Sequence, residues 1–253
     1  MDLRNKTVLI TGASSGIGKA IARRMAAEKC NLILLSRRTQ LLEELKSTLP
    51  ENTYPPVIVK CDVSSKKEVA AAYEQIKAKT GKIDIAFLNA GVGRSVNIEK
   101  YNSDNATETF GANFFGIIFW VEQLLPDFLN RKEGLIVGVS SLADNRGFPG
   151  SGFYCASKAA VSVYLEGLRV ELNPYNIKVI TVKPGFVKTP MTDQNKFKMP
   201  FLMSADRAAG IIVDGIKKGK RIIQFPLPMV VLTRLAGLLP GSLYEWIASK
   251  TRR

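Results

Sequence analysis

The stretch KTVLITGASSGIGKAIARRMA, Lys6 to Ala26, carries three local signals in succession. Lys6–Thr11 is a short apolar run rich in Val, Ile and Leu, the pattern of a buried strand. Gly12, Gly16 and Gly18 follow within seven positions, and from Gly16 onward Ala, Ile and Met recur at helical spacing. A strand that turns through glycines into a helix lets backbone N–H groups approach an anion at the helix N-terminus, because no Cβ stands in the way. Gly12, Ser14, Ser15, Gly16, Ile17 and Gly18 are therefore candidate contacts to a pyrophosphate.

The same alternation continues outward. Further apolar runs occupy 31–36, 56–61, 83–88, 134–140, 177–183 and 221–225. Helical patterns fall between them, at about 16–29, 38–48, 65–79, 104–130, 153–173 and 204–218. Near-continuous Val/Ile/Leu runs belong to strands covered on both faces. The expectation is an α/β fold: a doubly wound, Rossmann-type, seven-stranded parallel sheet flanked by helices. No composition break divides the chain, so residues 1–253 read as one dinucleotide-binding and catalytic domain. Two segments leave the pattern: an irregular, Pro-marked lid candidate at 186–203 and an apolar tail at 226–253.

Composition narrows the chemistry. The 253 residues are 46% hydrophobic, enough for a substantial core. There is no histidine, which removes a Ser-His-Asp triad and His metal ligands together; no metal site is expected. Cys30, Cys61 and Cys155 are scattered, so a disulfide framework is not expected, and a reducing cytoplasmic compartment is the simplest inference. The formal charge of +14 favours anionic ligands or surfaces. The basic residues are dispersed, so charge is the one feature that points to nucleic acid, and no nucleic-acid partner is expected. MDLRNKTVLITG enters a strand almost at once, with no signal peptide before it, and no run reaches the ~20 apolar residues of a spanning helix.

The spacing in TGASSGIG, G-x-x-x-G-x-G, resembles the classical branch of the short-chain dehydrogenase/reductase family, and the resemblance runs from Lys6 to about Phe225. Within YCASK, Tyr154 and Lys158 are neighbours on one helical face. Ser141 ends the fifth strand in VSS, and NFFG (113–116) resembles the family's N-x-x-G. The resemblance implies a catalytic tetrad of Asn113, Ser141, Tyr154 and Lys158. A free phenol has a pKa of ~10, too high for a proton shuttle near neutrality, and a neighbouring ammonium favours its ionised form. Tyr154 then serves as general acid or base, Ser141 polarises the substrate oxygen, Lys158 also bonds the nicotinamide ribose, and Asn113, by resemblance, holds a water that links Lys158 to solvent.

The cofactor contacts follow the same route. In LLSRRTQ, Ser36 stands where an acidic residue would select NAD, and Arg37 and Arg38 follow. Guanidinium groups there favour a 2′-phosphate, so NADP(H) is expected, with Arg37 as the main reader. CDV resembles the family's adenine contact and implies Asp62 and Val63. LNAG, with Leu88 in place of the first Asn, implies Asn89, Ala90 and Gly91; a structural role and a cofactor contact are both open for Asn89. KPGFVKT implies Pro184, Gly185, Val187 and Thr189 at the nicotinamide carboxamide. Asp144 stands where the family commonly has Gly and is expected to alter substrate contacts.

These features imply an NADP(H)-dependent oxidoreductase acting on a hydrophobic ketone, oxoacyl group or secondary alcohol. A non-catalytic NADP(H)-binding redox sensor and a membrane-surface lipid ketone reductase are the alternatives. Candidate substrate walls are Phe148, Phe153, Phe186, Met191, Phe197, Phe201 and Met203. For the tail, with Tyr244, Trp246, Lys250, Arg252 and Arg253, three readings stand: a homo-oligomer interface, a peripheral membrane contact, or a cover over the substrate mouth.

Overall fold

The computed structural model describes residues 1–50, 54–195 and 197–250. Lys196 of the lid candidate and Arg252 and Arg253 of the tail lie outside the described residues. The first half of the chain runs β1 (Thr7–Thr11), α1 (Gly16–Ala27), β2 (Asn31–Ser36), α2 (Thr39–Ser47), β3 (Val57–Lys60), α3 (Lys66–Thr80), β4 (Ile85–Leu88), α4 (Asp104–Phe110) and α5 (Gly116–Arg131). The second half runs β5 (Gly134–Val139), α6 (Gly152–Leu172), β6 (Ile177–Pro184), β7 (Val187–Lys188), β8 (Met203–Ser204), α7 (Ala205–Lys217), β9 (Ile222–Phe225), α8 (Leu227–Leu238) and α9 (Gly241–Ser249).

Seven strands pair in parallel in the order β3-β2-β1-β4-β5-β6-β9, the doubly wound arrangement expected. Side-chain alternation divides the core into two layers. Val8, Ile10, Ile85, Phe87, Leu135 and Val137 pack under α1, α2 and α7. Leu9, Ala86, Leu88 and Ile136 pack under α3, α5 and α6. The direction of winding changes between β1 and β4, so the carboxyl ends of those two strands leave a crevice. Ser65 and Ser204 cap α3 and α7 by accepting from the N–H groups of Glu68 and Arg207, both at 3.2 Å.

Three departures from the pattern reading have local causes. The expected helix 104–130 is interrupted by a π-helical turn at Gly111–Phe115, which separates α4 from α5. The lid candidate contains a two-residue parallel pair, β7 with β8. The tail is helical, and α8 starts with Pro228 in its first turn, where the missing N–H leaves no intrahelical bond unmade.

Trp120 is the largest fully buried side chain, and its Nε1–H has no hydrogen-bond partner among the described residues. Trp120→Phe removes that unmet donor together with some apolar area, so its stability should change by about 1 kcal/mol or less. Trp120→Ala opens a cavity and should cost about 3–5 kcal/mol. Urea unfolding of the two variants checks the contrast.

Candidate active site

The glycine turn is held open by two close approaches. Gly12 has φ +66°, and a Cβ there would lie 2.9 Å from Ala90 Cα; a Cβ on Gly18 would lie 2.3 Å from Gly12 O. Neither position accepts a side chain without moving backbone. Thr11 and Asn89 clamp the turn from below: Thr11 Oγ1 accepts from the N–H of Asn89 (2.9 Å) and of Ala90 (3.0 Å), and Asn89 Nδ2 donates to Thr11 O at 3.1 Å. Asn89 is thus a structural tie between β1 and β4 that also lines the cleft.

The cleft is lined by every expected cofactor contact except Gly18, which supports the turn from behind. At its far end Ser36 Oγ donates to Ser14 Oγ at 2.9 Å. Arg38 Nη2 donates to Ser14 Oγ and Ser15 Oγ at 3.0 and 3.1 Å. Arg37 lies 3.5 Å from the Asp62 carboxylate with most of its side chain in solvent. Burial pushes the Asp62 carboxyl up, but the Ser64 donors and Arg37 outweigh it and hold the group below its usual range. The guanidinium seated on the serine cluster is that of Arg38, one position beyond the expected reader.

At the other end, Ser141 sits just past β5 in extended backbone and its Oγ accepts from Ala143 N–H at 3.1 Å. Tyr154 is in the first turn of α6, and Lys158 follows one turn later. Lys158 is 4% exposed and its Nζ donates to Val139 O at 2.9 Å, 5.8 Å from the centre of the Tyr154 ring. Ser141, Tyr154 and Lys158 all line the cleft.

Burial dominates the electrostatics. It pushes the Tyr154 phenol above its ordinary value, and the hydrogen bond from Ser141 draws it partly back. It lowers the Lys158 ammonium to about 8. Without cofactor, then, desolvation overrides the acidifying effect that the sequence assigned to the neighbouring ammonium.

Asn113 stands behind Gly91, on the same side of it as Lys158. Its side chain is fully buried and stands behind the cleft wall. Oδ1 accepts from Val92 N–H at 2.7 Å, while Nδ2 donates to Val92 O at 3.0 Å and to Ser157 Oγ at 2.9 Å. Both amide donors are therefore spent on protein acceptors. The side chain ties the segment after β4 to α6, and Ser157 Oγ in turn donates to Tyr154 O at 2.8 Å. The π turn surrounding Asn113 is a type of helix irregularity frequent at functional sites.

Asp144 also departs from expectation. Its carboxylate turns inward, 2.7 Å from Lys183 Nζ, and accepts from Ser162 Oγ. Ser162 lies 2.8 Å from Ser140 Oγ, which donates to Lys158 O at 2.8 Å. A buried network therefore joins β6, the loop after β5 and the backbone of Lys158. Pattern reading missed Ser140 and Lys183; the paired serines at the strand end were the one available signal.

Of the expected substrate walls, Met191 lines the cleft, while Phe153, which packs on Tyr101 at 5.5 Å, and Phe186, which packs edge-on to Phe197 with ring centres 5.9 Å apart, stand outside its lining. Phe148, Phe197 and Phe201 are exposed. Met203 is not a wall residue: it is buried in β8 as part of the core, because its pairing with Val187 turns it toward α7.

Comparison with known proteins places this geometry. A family model described as short chain dehydrogenase matches residues 6–199. A relative from Myxococcus xanthus (strain DK1622), described as an uncharacterized oxidoreductase, is 34% identical over 251 residues, 99% of each chain. A short chain dehydrogenase/reductase from Burkholderia phymatum in complex with NAD superposes with a TM-score of 0.84 at 25% identity, covering 93% of this chain and 94% of that one. A short-chain dehydrogenase from Sphingobium yanoikuyae in complex with NADPH superposes with a TM-score of 0.82 at 26% identity, covering 98% and 97%.

The depressed Lys158 value has a consequence for stability. Between pH 8 and 9 the unfolded chain keeps this lysine protonated while the folded chain releases the proton, so the unfolded state binds more protons and stability rises with pH. Over the same range the buried thiols of Cys30 and Cys61, pushed up to about 12, act with the opposite sign, because the unfolded thiols already ionise near their ordinary value. The lysine contribution is therefore read as a difference: from pH 8 to 9 the stability of the unmodified protein should rise by about 1 kcal/mol relative to that of Lys158→Met, which keeps the same thiols, as read from urea midpoints at the two pH values.

Proposed function

The chain belongs to the short-chain dehydrogenase/reductase family and is an oxidoreductase with a nicotinamide cofactor; from that premise we propose that it uses NADP(H) to interconvert a hydrophobic ketone or oxoacyl group and the secondary alcohol. The observation that carries this reading is the meeting of Ser141, Tyr154 and Lys158 in the cleft that begins at the glycine turn.

The residues present fit the cofactor. The cradle between Gly12 and Ala90 is one that a Cβ would fill, and the N-terminus of α1 opens onto it. Ser14, Ser15, Ser36 and Arg38 offer hydroxyl and guanidinium donors where an acidic residue would repel a phosphate. Arg37 covers the adenine side, paired with Asp62. When bound, the nicotinamide supplies or accepts the hydride.

The protein groups handle the proton. Ser141 donates a hydrogen bond to the substrate carbonyl oxygen and holds it beside the Tyr154 hydroxyl. Tyr154 gives its proton to that oxygen during reduction and takes one back during oxidation. A phenol kept protonated by burial is suited to the acid role. Lys158, held by Val139 O, stabilises the phenolate left behind. Asn113 and the Asp144–Lys183 pair act through others: they fix α6 against the segments that carry Val92 and Ser141. Met191 on the cleft wall supports a hydrophobic substrate, and the segment 186–203 that carries it is the lid of this reading.

Two measurements test this. With a panel of aliphatic and aromatic ketones, NADPH absorbance should fall for some members, and Tyr154→Phe should slow that turnover by about 10²–10⁴-fold while still binding NADPH. Tight NADPH binding without turnover of any ketone would favour the redox-sensor reading. Separately, Arg38→Gln should weaken NADPH binding about 10–100-fold and leave NADH binding nearly unchanged in titrations of cofactor fluorescence. Equal loss for both cofactors would contradict the 2′-phosphate assignment.

A further inference from the structure

The two helices that end the chain carry their large apolar side chains outward. On α8, Leu227, Val231, Leu235 and Leu238 are exposed, Leu238 to 81%, and their spacing places them on one face. On α9, Leu243, Trp246 and Ile247 are exposed on one face, with Lys250 Nζ stacked 3.7 Å from the Trp246 ring centre. Tyr244 on α9 turns the other way, its hydroxyl donating to Gly147 O at 2.6 Å.

This apolar surface is fastened to the substrate loop. Arg146 donates to the carbonyls of Ala236, Gly237 and Leu239 at the end of α8, and stacks on Tyr244 with 5.0 Å to the ring centre. Asn145 Nδ2 donates to Thr233 O at 3.2 Å. These residues belong to the loop that begins at Ser141. The two helices are thus tied to a loop whose first residue, Ser141, lines the cleft.

We propose that this face docks on the surface of an anionic phospholipid bilayer. Charge selects the occupant. In sequence, residues 226–253 hold four basic residues, Arg234, Lys250, Arg252 and Arg253, against the single acid Glu245, within a chain of net charge +14. A two-fold pairing would bring two cationic chains together through their basic tails, whereas an anionic leaflet complements that charge. Among the described residues no helix is long and apolar enough to cross a membrane. The twelve residues of α8 and nine of α9 instead have the apolar face, interfacial tryptophan and basic flank of helices that lie in the headgroup region. The substrate mouth then faces the lipid; that last step rests on the proposed hydrophobic-ketone activity, while the docking itself does not.

The test is sedimentation of the full chain with phosphatidylcholine vesicles alone and with vesicles containing about 30% phosphatidylserine. The protein should pellet with the anionic vesicles and remain in solution with the neutral ones. About 0.5 M NaCl should weaken the binding at least about tenfold. Trp120 is buried, so a blue shift of tryptophan emission on vesicle addition reports Trp246, and the unmodified protein should show it. Leu235→Glu with Trp246→Glu should lower vesicle binding at least about tenfold with an unchanged unfolding midpoint and unchanged NADPH turnover of a water-soluble ketone. Absence of binding and of a blue shift in the unmodified protein would overturn the proposal whether or not turnover is found. So would a self-association that the double variant abolishes while vesicle binding is undetectable.

Discussion

The site depends on one ammonium withdrawn from water. Lys158 crosses from α6 to the end of β5 and donates to the carbonyl of Val139. That bond, with the one from Ser140 Oγ to the carbonyl of Lys158, ties the helix that carries Tyr154 to the strand end that leads to Ser141. It also forces a charge into a place that disfavours charge, which is why the lysine value falls to about 8. The surrounding hydrogen bonds follow from holding this arrangement still. Ser140 donates to the backbone of Lys158, the Asp144–Lys183 pair anchors the neighbouring loop, and Asn113 braces α6 through Ser157.

The same burial acts on Tyr154 in the opposite sense. A phenol is neutral when protonated, so an enclosed site keeps its proton on; a lysine is neutral when deprotonated, so the site draws its proton off. Resting protein thus has an acid that holds its proton and a base-shifted partner beside it. On the proposed function, the positive charge of an oxidised nicotinamide would lower both values at once and so couple the readiness of Tyr154 to occupancy of the cofactor site.

The layout of the fold was legible because its causes are local. Continuous Val and Ile runs mark strands covered on two faces, and the glycine spacing marks where backbone approaches backbone at Ala90. Tyr154 and Lys158 needed one helical turn to become neighbours. Side-chain direction at the ends of elements was less legible, because distant partners decide it. Nothing near Asp144 in the chain says that Lys183 will meet it from another strand. Asn113 has the residue type of a cleft donor, yet Val92 and Ser157 take both of its N–H groups. The sequence favoured Arg37 over its neighbour, whereas the serines at 14 and 15, distant in the chain, seat Arg38. The tail was recognisably apolar, but its orientation was hidden, since the Arg146 staple that sets it is a tertiary contact.

The most direct test of the coupling is the titration of the Tyr154 phenol by NMR of ring-labelled tyrosine, assigned with Tyr154→Phe. In the protein alone Tyr154 should titrate above the ordinary value of ~10. With oxidised cofactor bound it should fall by about one unit or more, and Lys158→Met should blunt that fall. A phenol that titrates alike with and without cofactor, and alike with and without the lysine, would contradict the account.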